Sequence, residues 1–261
     1  MINIAFVGNP NVGKTALINK ISNASLKMGN WPGVTIEKKE VFFKVGNEDV
    51  KLIDLPGIYN LSIGTPEERI SRNFILEEDV DVIINVVDST SLERNLYLTA
   101  LLKEMGKPMV MALNFEDEFK KLDYKLNLET LEKQLGMKTI FTSGRNGAGI
   151  DELMKEAVEA FKRNQTQKQI SYKLSFDNDI EKEIDSVKEK LSKLENKEIL
   201  KKYSLDWLAI KSLENDMNLF ANLKTKYGVD ISDLAKEERE NLKKRYGIDS
   251  ADVISQARYA T

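Results

Sequence analysis

Residues 8–15 form the segment that most constrains the fold of this chain. They fit the phosphate-loop pattern G-x-x-x-x-G-K-[S/T] at every fixed position, reading Gly8-Asn9-Pro10-Asn11-Val12-Gly13-Lys14-Thr15. The apolar run at 2–7 predicts a buried strand, and the residues at 15–21 predict the first turns of a helix. Glycines at both ends of the loop let backbone N–H groups converge on phosphate oxygens at the helix N-terminus. The segment therefore predicts a nucleotide-phosphate site.

Two side chains of this loop carry the expected chemistry. Lys14 is placed to reach the β- and γ-phosphates, and the Thr15 hydroxyl is placed to ligate Mg²⁺. An ordinary glycine-rich turn with a surface lysine is the alternative, but the flanking strand and helix patterns disfavour it. We expect the loop and the residue after it to bind the nucleotide through Gly8, Asn9, Asn11, Val12, Gly13, Lys14, Thr15 and Ala16.

The composition removes several kinds of chemistry. The chain contains no Cys and no His, which excludes disulfides, Cys/His zinc sites and imidazole acid–base catalysis. Its net charge of −3 offers no basic field for nucleic acid or anionic lipid. No apolar stretch has the length of a membrane span and the chain enters a strand directly, so we expect a cytosolic, reducing setting.

Residues 1–165 alternate strand and helix patterns, which predicts an α/β domain with a mostly parallel sheet and helices on both faces. Strands are predicted at 2–7, 38–45, 50–54, 80–88, 108–114 and 138–142, and helices at 14–23, 91–105, 127–135 and 150–162. Gly46-Asn47 predicts an antiparallel hairpin at a sheet edge between the second and third strands.

The rest of the chain, 166–261, is predicted to be a small helical domain. Residues 164–177 are polar and indicate a linker. From 178 to 258 the pattern is helical throughout, with Lys/Glu-rich faces and an apolar seam formed by Ile180, Ile184, Val187 and Leu191.

A second chemical motif, Asp54-Leu55-Pro56-Gly57, ends the strand at 50–54. An acidic residue there can hold Mg²⁺ through water, and the Gly57 amide can turn toward a γ-phosphate. The tetrapeptide alone is a common turn. Its position one hairpin after the phosphate loop favours a phosphate sensor.

The loop at 29–35, Gly-Asn-Trp-Pro-Gly-Val-Thr, is predicted to be part of a switch covering residues 27–38. Thr35 can supply a second hydroxyl to Mg²⁺ and an amide to the γ-phosphate, which would order the loop when a triphosphate binds. The Trp31 side chain is expected to be exposed. A plain connecting loop, with Trp31 packed on the surface, is the alternative.

The base is expected to be read by Asn114-Phe115-Glu116-Asp117, directly after a predicted strand. The Asp117 carboxylate can accept both N1–H and the 2-amino group of guanine, a donor pair that adenine lacks, while Asn114 would tie this loop to the phosphate loop. After the last strand, a loop containing Ser143 and Gly144 can offer backbone N–H groups to the guanine oxygen.

These motifs, in this order, resemble the five motifs of a small GTPase over about residues 1–163. The segments G-N-P-N-V-G-K-T, G-N-W-P-G-V-T and D-L-P-G-I-Y look like the cytosolic G-protein domain of FeoB-type ferrous iron transporters. The helical half resembles that family's guanine-nucleotide dissociation inhibitor (GDI)-like domain, and Ala257-Arg258-Tyr259 resembles the stretch shortly before its membrane region.

The resemblance implies a soluble head on the cytoplasmic face of the membrane that binds GTP or GDP and hydrolyses GTP to drive or gate Fe²⁺ uptake. Its implied partner is the membrane-embedded iron permease region of the same polypeptide. No nucleic acid is expected as a partner, and a homo-oligomer is left open. The helical domain is expected to tune nucleotide release.

Two positions depart from the common GTPase pattern. Phe115 replaces the lysine of N-K-x-D, and the FeoB pattern tolerates an apolar residue there. Ile58 follows Gly57 where many small GTPases carry a water-positioning glutamine, so hydrolysis should be slow. The expected catalytic residues are Lys14, Asn11, Thr35 and Gly57.

Because the switch loops offer neither that glutamine nor an obvious arginine finger, a cation must balance the transition-state charge. The Asn11 side-chain carbonyl could hold K⁺ near the β–γ bridge, and the resemblance implies potassium activation for an asparagine here. The alternative is that Asn11 only tightens the loop by side-chain to backbone hydrogen bonding.

Two other functions stay open. A soluble RNA-associated GTPase of the ribosome-assembly or tRNA-modification type shares this kind of phosphate loop, but it needs a basic surface that the net charge argues against. A nucleotide-binding scaffold without turnover is the other alternative, because Ile58 replaces the glutamine.

Overall fold

The computed structural model describes residues 1–21, 26–61, 64–166 and 175–260. It divides into two compact units, the first made of 1–103 and 107–172 and the second of 104–106 and 173–261.

The first unit is built on a seven-stranded sheet with the strand order β2-β3-β4-β1-β5-β6-β7. Strands β4, β1, β5, β6 and β7 run parallel, while β2–β3 and β3–β4 are antiparallel pairs. The strands are β1 (Ile2–Gly8), β2 (Leu26–Asn30), β3 (Glu37–Val45), β4 (Glu48–Asp54), β5 (Val82–Asp88), β6 (Met109–Asn114) and β7 (Thr139–Phe141). Because parallel strands end at the same edge, the segments after them meet there.

Helices cover both faces of this sheet. Apolar side chains of α1 and α6 pack with Ile4, Phe6 and Ile84 into a single buried core. On the opposite face, the Asn85 Nδ2 of β5 donates to the Thr99 Oγ1 of α3 at 2.6 Å. The helices of the unit are α1 (Lys14–Ile21), α2 (Pro66–Glu77), α3 (Leu92–Glu104), α4 (Glu116–Phe119), α5 (Leu128–Leu135) and α6 (Ile150–Thr166).

The α/β fold predicted from the sequence is confirmed, with strand limits within two residues of the prediction. Three of these strands and helices were missed: α2, the one-turn helix α4, and β2, which overlaps the start of the segment predicted as a switch loop. Since β2 pairs outside β3, the predicted β3–β4 hairpin exists but does not form the sheet edge. Helix α6 continues to Thr166, and the predicted linker at 164–177 lies largely at 167–174, outside the described residues.

The second unit is helical, as predicted. Ile180, Ile184, Val187 and Leu191 form the buried seam of its first helix, which Asp177 caps by accepting from two backbone N–H groups. Within the described parts of the chain, no helix is long and apolar enough to cross a membrane. The helices of this unit are α7 (Asn178–Ser192), α8 (Lys197–Lys202), α9 (Leu205–Leu213), α10 (Met217–Tyr227), α11 (Lys236–Tyr246) and α12 (Ser250–Ala260).

Candidate nucleotide-binding site

The phosphate loop joins the end of β1 to the start of α1. Gly8 lies against the Val86 carbonyl of β5, where a side chain would collide with the backbone. Gly13 has a φ of 81° and Asn11 a φ of 65°, both in the left-handed region. These conformations let the loop turn tightly into the N-terminus of α1.

Lys14, the first residue of α1, has its ammonium group inside this loop. Its Nζ donates to the Gly8 carbonyl at 3.0 Å and to the Asn9 carbonyl at 3.2 Å. Burial lowers the pKa of Lys14 to about 8, although the nearby Asp54 acts in the opposite direction. The ammonium is therefore held at the phosphate end of the site by the loop's own carbonyls.

Asp54 ends β4 beside the loop and accepts a hydrogen bond from the Thr15 side chain. Burial raises the pKa of Asp54 to about 6, although the positive charges of Lys14 and Lys39 oppose that rise. Its Oδ1 is buried and has no hydrogen-bond partner among the described residues. A buried carboxylate oxygen beside a threonine hydroxyl fits a hard divalent cation such as Mg²⁺.

A cleft at this edge of the sheet gathers the phosphate-end residues. Ten residues line it: Pro10, Asn11, Lys14, Thr15, Glu37, Lys39, Asp54, Leu55, Pro56 and Gly57. Five of the predicted site residues are thus brought together, namely Asn11, Lys14, Thr15, Asp54 and Gly57. Glu37 and Lys39 were not predicted. Lys39 lies opposite Asp54 in the β3–β4 hairpin, and Glu37 lies two residues before it on the same strand.

The segment after Asp54 turns tightly over the loop. A Cβ at Gly57 would lie 2.9 Å from the Pro10 Cα and 3.3 Å from the Lys14 Nζ, so a larger residue would crowd the cleft. Ile58 is buried, with 2% exposure, and its N–H donates to the Gly8 carbonyl at 3.2 Å. The residue at the usual glutamine position is therefore packed into the protein.

The predicted switch segment is only partly at the cleft. Trp31 is buried, with 6% exposure, and packs edge-on against Phe74 of α2 at a centroid distance of 5.2 Å, which corrects the exposed position expected for it. The Lys38 ammonium lies 4.8 Å from the Trp31 ring centroid. Thr35 is exposed and is not among the residues that line the cleft, so this structure does not bring it to Asp54.

Asn114, at the end of β6, links the base end to the phosphate end. Its Nδ2 donates to the Val12 carbonyl at 2.8 Å, the tie predicted from the sequence. Its Oδ1 accepts from the Gly144 N–H at 3.1 Å and from the Thr142 hydroxyl at 3.4 Å. Gly13 has no room for a side chain because the Asn114 amide lies against it. A single buried amide therefore holds three loops together.

The base end is completed by Asp117 and the loop after β7. The Asp117 Oδ1 accepts from the Ser143 hydroxyl at 2.8 Å, and this hydrogen bond is the main reason why the pKa of Asp117 is lowered. Phe115 has a φ of 66°, and its ring edge would lie 3.2 Å from a Cβ on Gly13. The apolar residue that replaces the usual lysine thus packs against the phosphate loop.

The Ser143 and Gly144 amides do not have the role that was expected of them, which was to donate to the guanine oxygen. The Ser143 N–H donates to the Ala148 carbonyl at 3.1 Å, and the Gly144 N–H is used by Asn114. Both amides are therefore engaged within the protein, and neither is offered to a base in this structure. Gly144 packs on α1, where a side chain at 144 would meet the Cβ of Ala16 at 2.8 Å.

The fold and the site define a phosphate-loop nucleotide-binding domain of the G-protein class, followed by a helical domain. Comparison with known families agrees. The family described as "Ferrous iron transport protein B" matches residues 2–157, and the "FeoB cytosolic helical domain" matches residues 176–261. The chain belongs to the ferrous iron transport protein B (FeoB) family. An RNA-associated GTPase is not favoured by these matches.

Curated relatives include proteins that are named as FeoB transporters. The chain is 40% identical over 232 residues to an Fe(2+) transport protein A/Fe(2+) transporter FeoB fusion protein of Porphyromonas gingivalis, covering 87% of this chain and 27% of the relative. It is 45% identical over 168 residues to the Fe(2+) transporter FeoB of Helicobacter pylori 26695, covering 63% and 26%. The chain thus spans about a quarter of the length of these curated relatives.

Solved structures match both units. The GDP-bound A143S mutant of the S. thermophilus FeoB G-domain has a TM-score of 0.85 and 34% identity, with 100% of this chain and 96% of that chain covered. The apo cytosolic domain of the T. maritima FeoB iron transporter has a TM-score of 0.80 and 31% identity, covering 100% and 95%.

Proposed function

We propose that this chain is a guanine-nucleotide switch that slowly hydrolyses GTP to GDP and phosphate, as the cytosolic head of a ferrous iron transporter. The observation that carries the proposal is the buried Asn114 amide, which joins a phosphate cleft containing Lys14 and Asp54 to a loop carrying Asp117. The GDP-bound S. thermophilus structure and a second S. thermophilus FeoB structure, bound to GMPPNP, support the same ligand class.

Recognition of the base is assigned to Asp117. The Ser143 hydroxyl keeps its pKa low, so the carboxylate stays ionised and can accept the two donors of a guanine edge. Adenine lacks this donor pair, so the carboxylate would gain no hydrogen bond from the base, which is costly in a binding site. The Ser143 and Gly144 amides donate to other groups of the protein. We therefore assign the hydrogen bond to the guanine oxygen to the backbone N–H of the next residue, Arg145.

The phosphates are assigned to the loop amides between Gly8 and Ala16 and to the Lys14 ammonium. Thr15 and Asp54 would hold Mg²⁺, with Thr35 joining them when its loop closes. The orphaned Oδ1 of Asp54 supports this assignment. When bound, the ion would neutralise charge on the β- and γ-phosphate oxygens.

Hydrolysis requires a positioned water and neutralisation of the developing charge. The Gly57 amide lies at the cleft and can donate to a γ-phosphate oxygen, while the buried, apolar Ile58 cannot orient water. Asn11 lines the same cleft in a left-handed conformation, and its amide oxygen is a suitable ligand for K⁺. A bound K⁺ would supply positive charge where an arginine finger acts in other GTPases.

The transport role extends beyond this chain, which spans about a quarter of its relatives. We assign it to the cytoplasmic face of the membrane, with the membrane-embedded iron permease region of the same polypeptide as its partner. Fe²⁺ is then the cargo of the whole protein, and the nucleotide state of this head would gate or drive its passage. No nucleic acid partner is proposed.

Phosphate release tests the proposal. Purified protein with Mg²⁺ and K⁺ should release phosphate from GTP and much less from ATP, and Lys14→Ala should abolish the release because the phosphates lose their buried cation. Lys20→Ala, at an exposed position on the same helix, is the matched control. Equal use of ATP and GTP would contradict the base assignment, and binding without release would reduce the protein to a scaffold.

A further inference from the structure

Strand β3 places a second lysine in the phosphate cleft. Lys39 pairs directly with Asp54 across the antiparallel β3–β4 ladder. Residues directly opposite each other in such a pair project their side chains from the same face of the sheet. Lys39 accordingly lines the cleft together with Lys14, Thr15 and Asp54, and its side chain is only 17% exposed.

Lys39 has a partner within the same cleft. A Glu37 carboxylate oxygen lies 3.3 Å from its ammonium nitrogen, and Glu37 is itself a lining residue with a side chain that is 47% exposed. Both charges act on Asp54: Lys39 lowers the pKa of its carboxyl group, and Glu37 raises it, each less than burial does. The positive charge of Lys39 therefore acts on the carboxylate that we assign to the divalent cation.

We propose that Lys39 sets how strongly nucleotide binding depends on the divalent cation, an inference that rests on the proposed function. Its ammonium attracts the polyphosphate and repels the cation held by Thr15 and Asp54. Glu37, its ion-pair partner, opposes both effects. Lys39 is thus a positioning residue for the charge balance of the cleft and does not act on the reacting water.

Charge alone gives the sign of each effect. A univalent cation in a partly buried cleft stabilises a phosphate group bound beside it and destabilises a second cation bound beside the same carboxylate. The nucleotide then needs the divalent ion less, because part of the neutralisation is already supplied by the protein. Removing the Lys39 charge should weaken nucleotide binding without metal and strengthen metal binding to the nucleotide complex.

Calorimetric titration measures both quantities without relying on turnover. The Kd of GDP is determined in EDTA and in saturating Mg²⁺, and the Kd of Mg²⁺ is determined for the GDP complex. For Lys39→Met we expect GDP affinity in EDTA to fall roughly five- to twentyfold and Mg²⁺ to bind roughly three- to tenfold more tightly, as expected for one lost charge in a partly buried cleft. Glu37→Gln should shift both constants in the opposite direction.

Two further variants complete the design. Lys39→Arg keeps the charge and should resemble the wild type, and it remains informative if Lys39→Met fails to fold. Lys44→Met removes a lysine from the same strand whose side chain is 69% exposed and pairs with Asp49, so it should leave both constants unchanged.

Several outcomes would overturn the inference or the magnesium assignment on which it rests. Equal losses of GDP affinity in EDTA and in Mg²⁺ would make Lys39 an ordinary phosphate contact and overturn the inference. Unchanged constants, or a changed melting temperature with unchanged constants, would make the Lys39–Glu37 pair merely structural and overturn it as well. The inference would also be contradicted if both dissociation constants of Lys39→Arg matched those of Lys39→Met and not those of the wild type. A wild type that binds GDP identically with and without Mg²⁺ would refute the magnesium assignment itself, on which the inference rests.

Discussion

The Nδ2 of Asn114 donates to the carbonyl oxygen of Val12 at 2.8 Å, joining two loops that lie 102 residues apart in the chain. The same side chain accepts from the Gly144 N–H and the Thr142 hydroxyl through its Oδ1. Asn114 is fully buried. Its amide therefore sets the distance between the phosphate cleft and the loop that carries Asp117.

Replacing Asn114 by Ala should loosen that spacing. The change leaves the Val12 carbonyl and the Gly144 N–H without their partner, at about 1–3 kcal/mol for each buried group that stays unsatisfied. We expect guanine-nucleotide affinity to fall about 10- to 100-fold and the first unit to melt earlier. Calorimetric titration with GDP and thermal unfolding check this. Asn241→Ala, at an exposed position, is the control, and unchanged GDP affinity in Asn114→Ala would refute the role of the tie.

Most of the sheet could be predicted because its strands are apolar runs followed by polar motifs. Helix α2 was missed although its start carries a clear local signal. Thr65 accepts from the Glu68 N–H, and the Glu68 side chain accepts from the Thr65 N–H, a capping box with Pro66 at the first turn. The signal lies within residues 65–68, so the sequence alone contains enough information to predict where this helix begins.

The remaining differences arise from pairing between distant segments, which local patterns do not encode. Strand β2 is only five residues long and ends in Gly29 and Asn30, residue types that are depleted in strands, yet it is a strand because β3 pairs with it. Trp31 is buried because Phe74 of α2 covers it. Lys39 belongs to the cleft only through its register with Asp54. Contacts with segments distant in the sequence therefore determine the structure at all three places.

Guanine specificity should depend on Asp117. Replacing it by Asn removes the acceptor for two guanine donors and should cost on the order of 2–4 kcal/mol, or about 30- to 1000-fold in GTP affinity. Xanthine nucleotides should bind better than guanine nucleotides to Asp117→Asn, since the amide can donate to the xanthine oxygen. Competition between GDP and XDP measures this. The exposed neighbour Glu118 provides the control Glu118→Gln, and unaltered GTP affinity in Asp117→Asn would show that another group reads the base.

The second unit contains a buried ion cluster that should make its stability depend on acid. Glu214 forms ion pairs with Lys211 and with Arg258, and its side chain is 16% exposed. Burial alone would raise the pKa of Glu214, but the charges of Lys211 and Arg258 lower it to about 2. The pKa of a glutamate in the unfolded chain is about 4.3.

Because the folded pKa lies below the unfolded one, Glu214 stabilises the unit fully above about pH 5, and this contribution is lost as the pH falls toward 2. We expect Glu214→Gln to lose on the order of 1–3 kcal/mol at pH 7 and to show a shallower acid dependence than the wild type. Urea unfolding in a Trp31→Phe background, followed by the fluorescence of the buried Trp207, reports on this unit. Glu189→Gln removes an ion pair with Lys193 that is exposed and screened by solvent, so its slope should stay close to that of the wild type. Equal slopes in all three proteins would refute the prediction.

Potassium should accelerate hydrolysis, and Asn11 should carry that dependence. Ile58 is buried and apolar where a water-positioning glutamine would act. The sequence offers no obvious arginine finger in the segment predicted as a switch, so neutralisation of the transition-state charge must come from another source. Asn11 lines the cleft beside Gly57, and its amide oxygen can bind a monovalent cation near the phosphates.

Phosphate release from GTP, measured in K⁺ and in Na⁺ at matched ionic strength with saturating Mg²⁺, tests this dependence. Wild type should turn over roughly tenfold faster in K⁺, an effect of the size expected for one stabilising charge in a transition state. Asn11→Ala should lose most of that stimulation while keeping its GDP affinity within a few fold, because Lys14 and the loop amides still hold the phosphates. Asn19→Ala, an exposed asparagine on α1, is the control. Full potassium stimulation in Asn11→Ala would leave Asn11 with only a loop-tightening role, since the ion would then be held by other oxygens of the site.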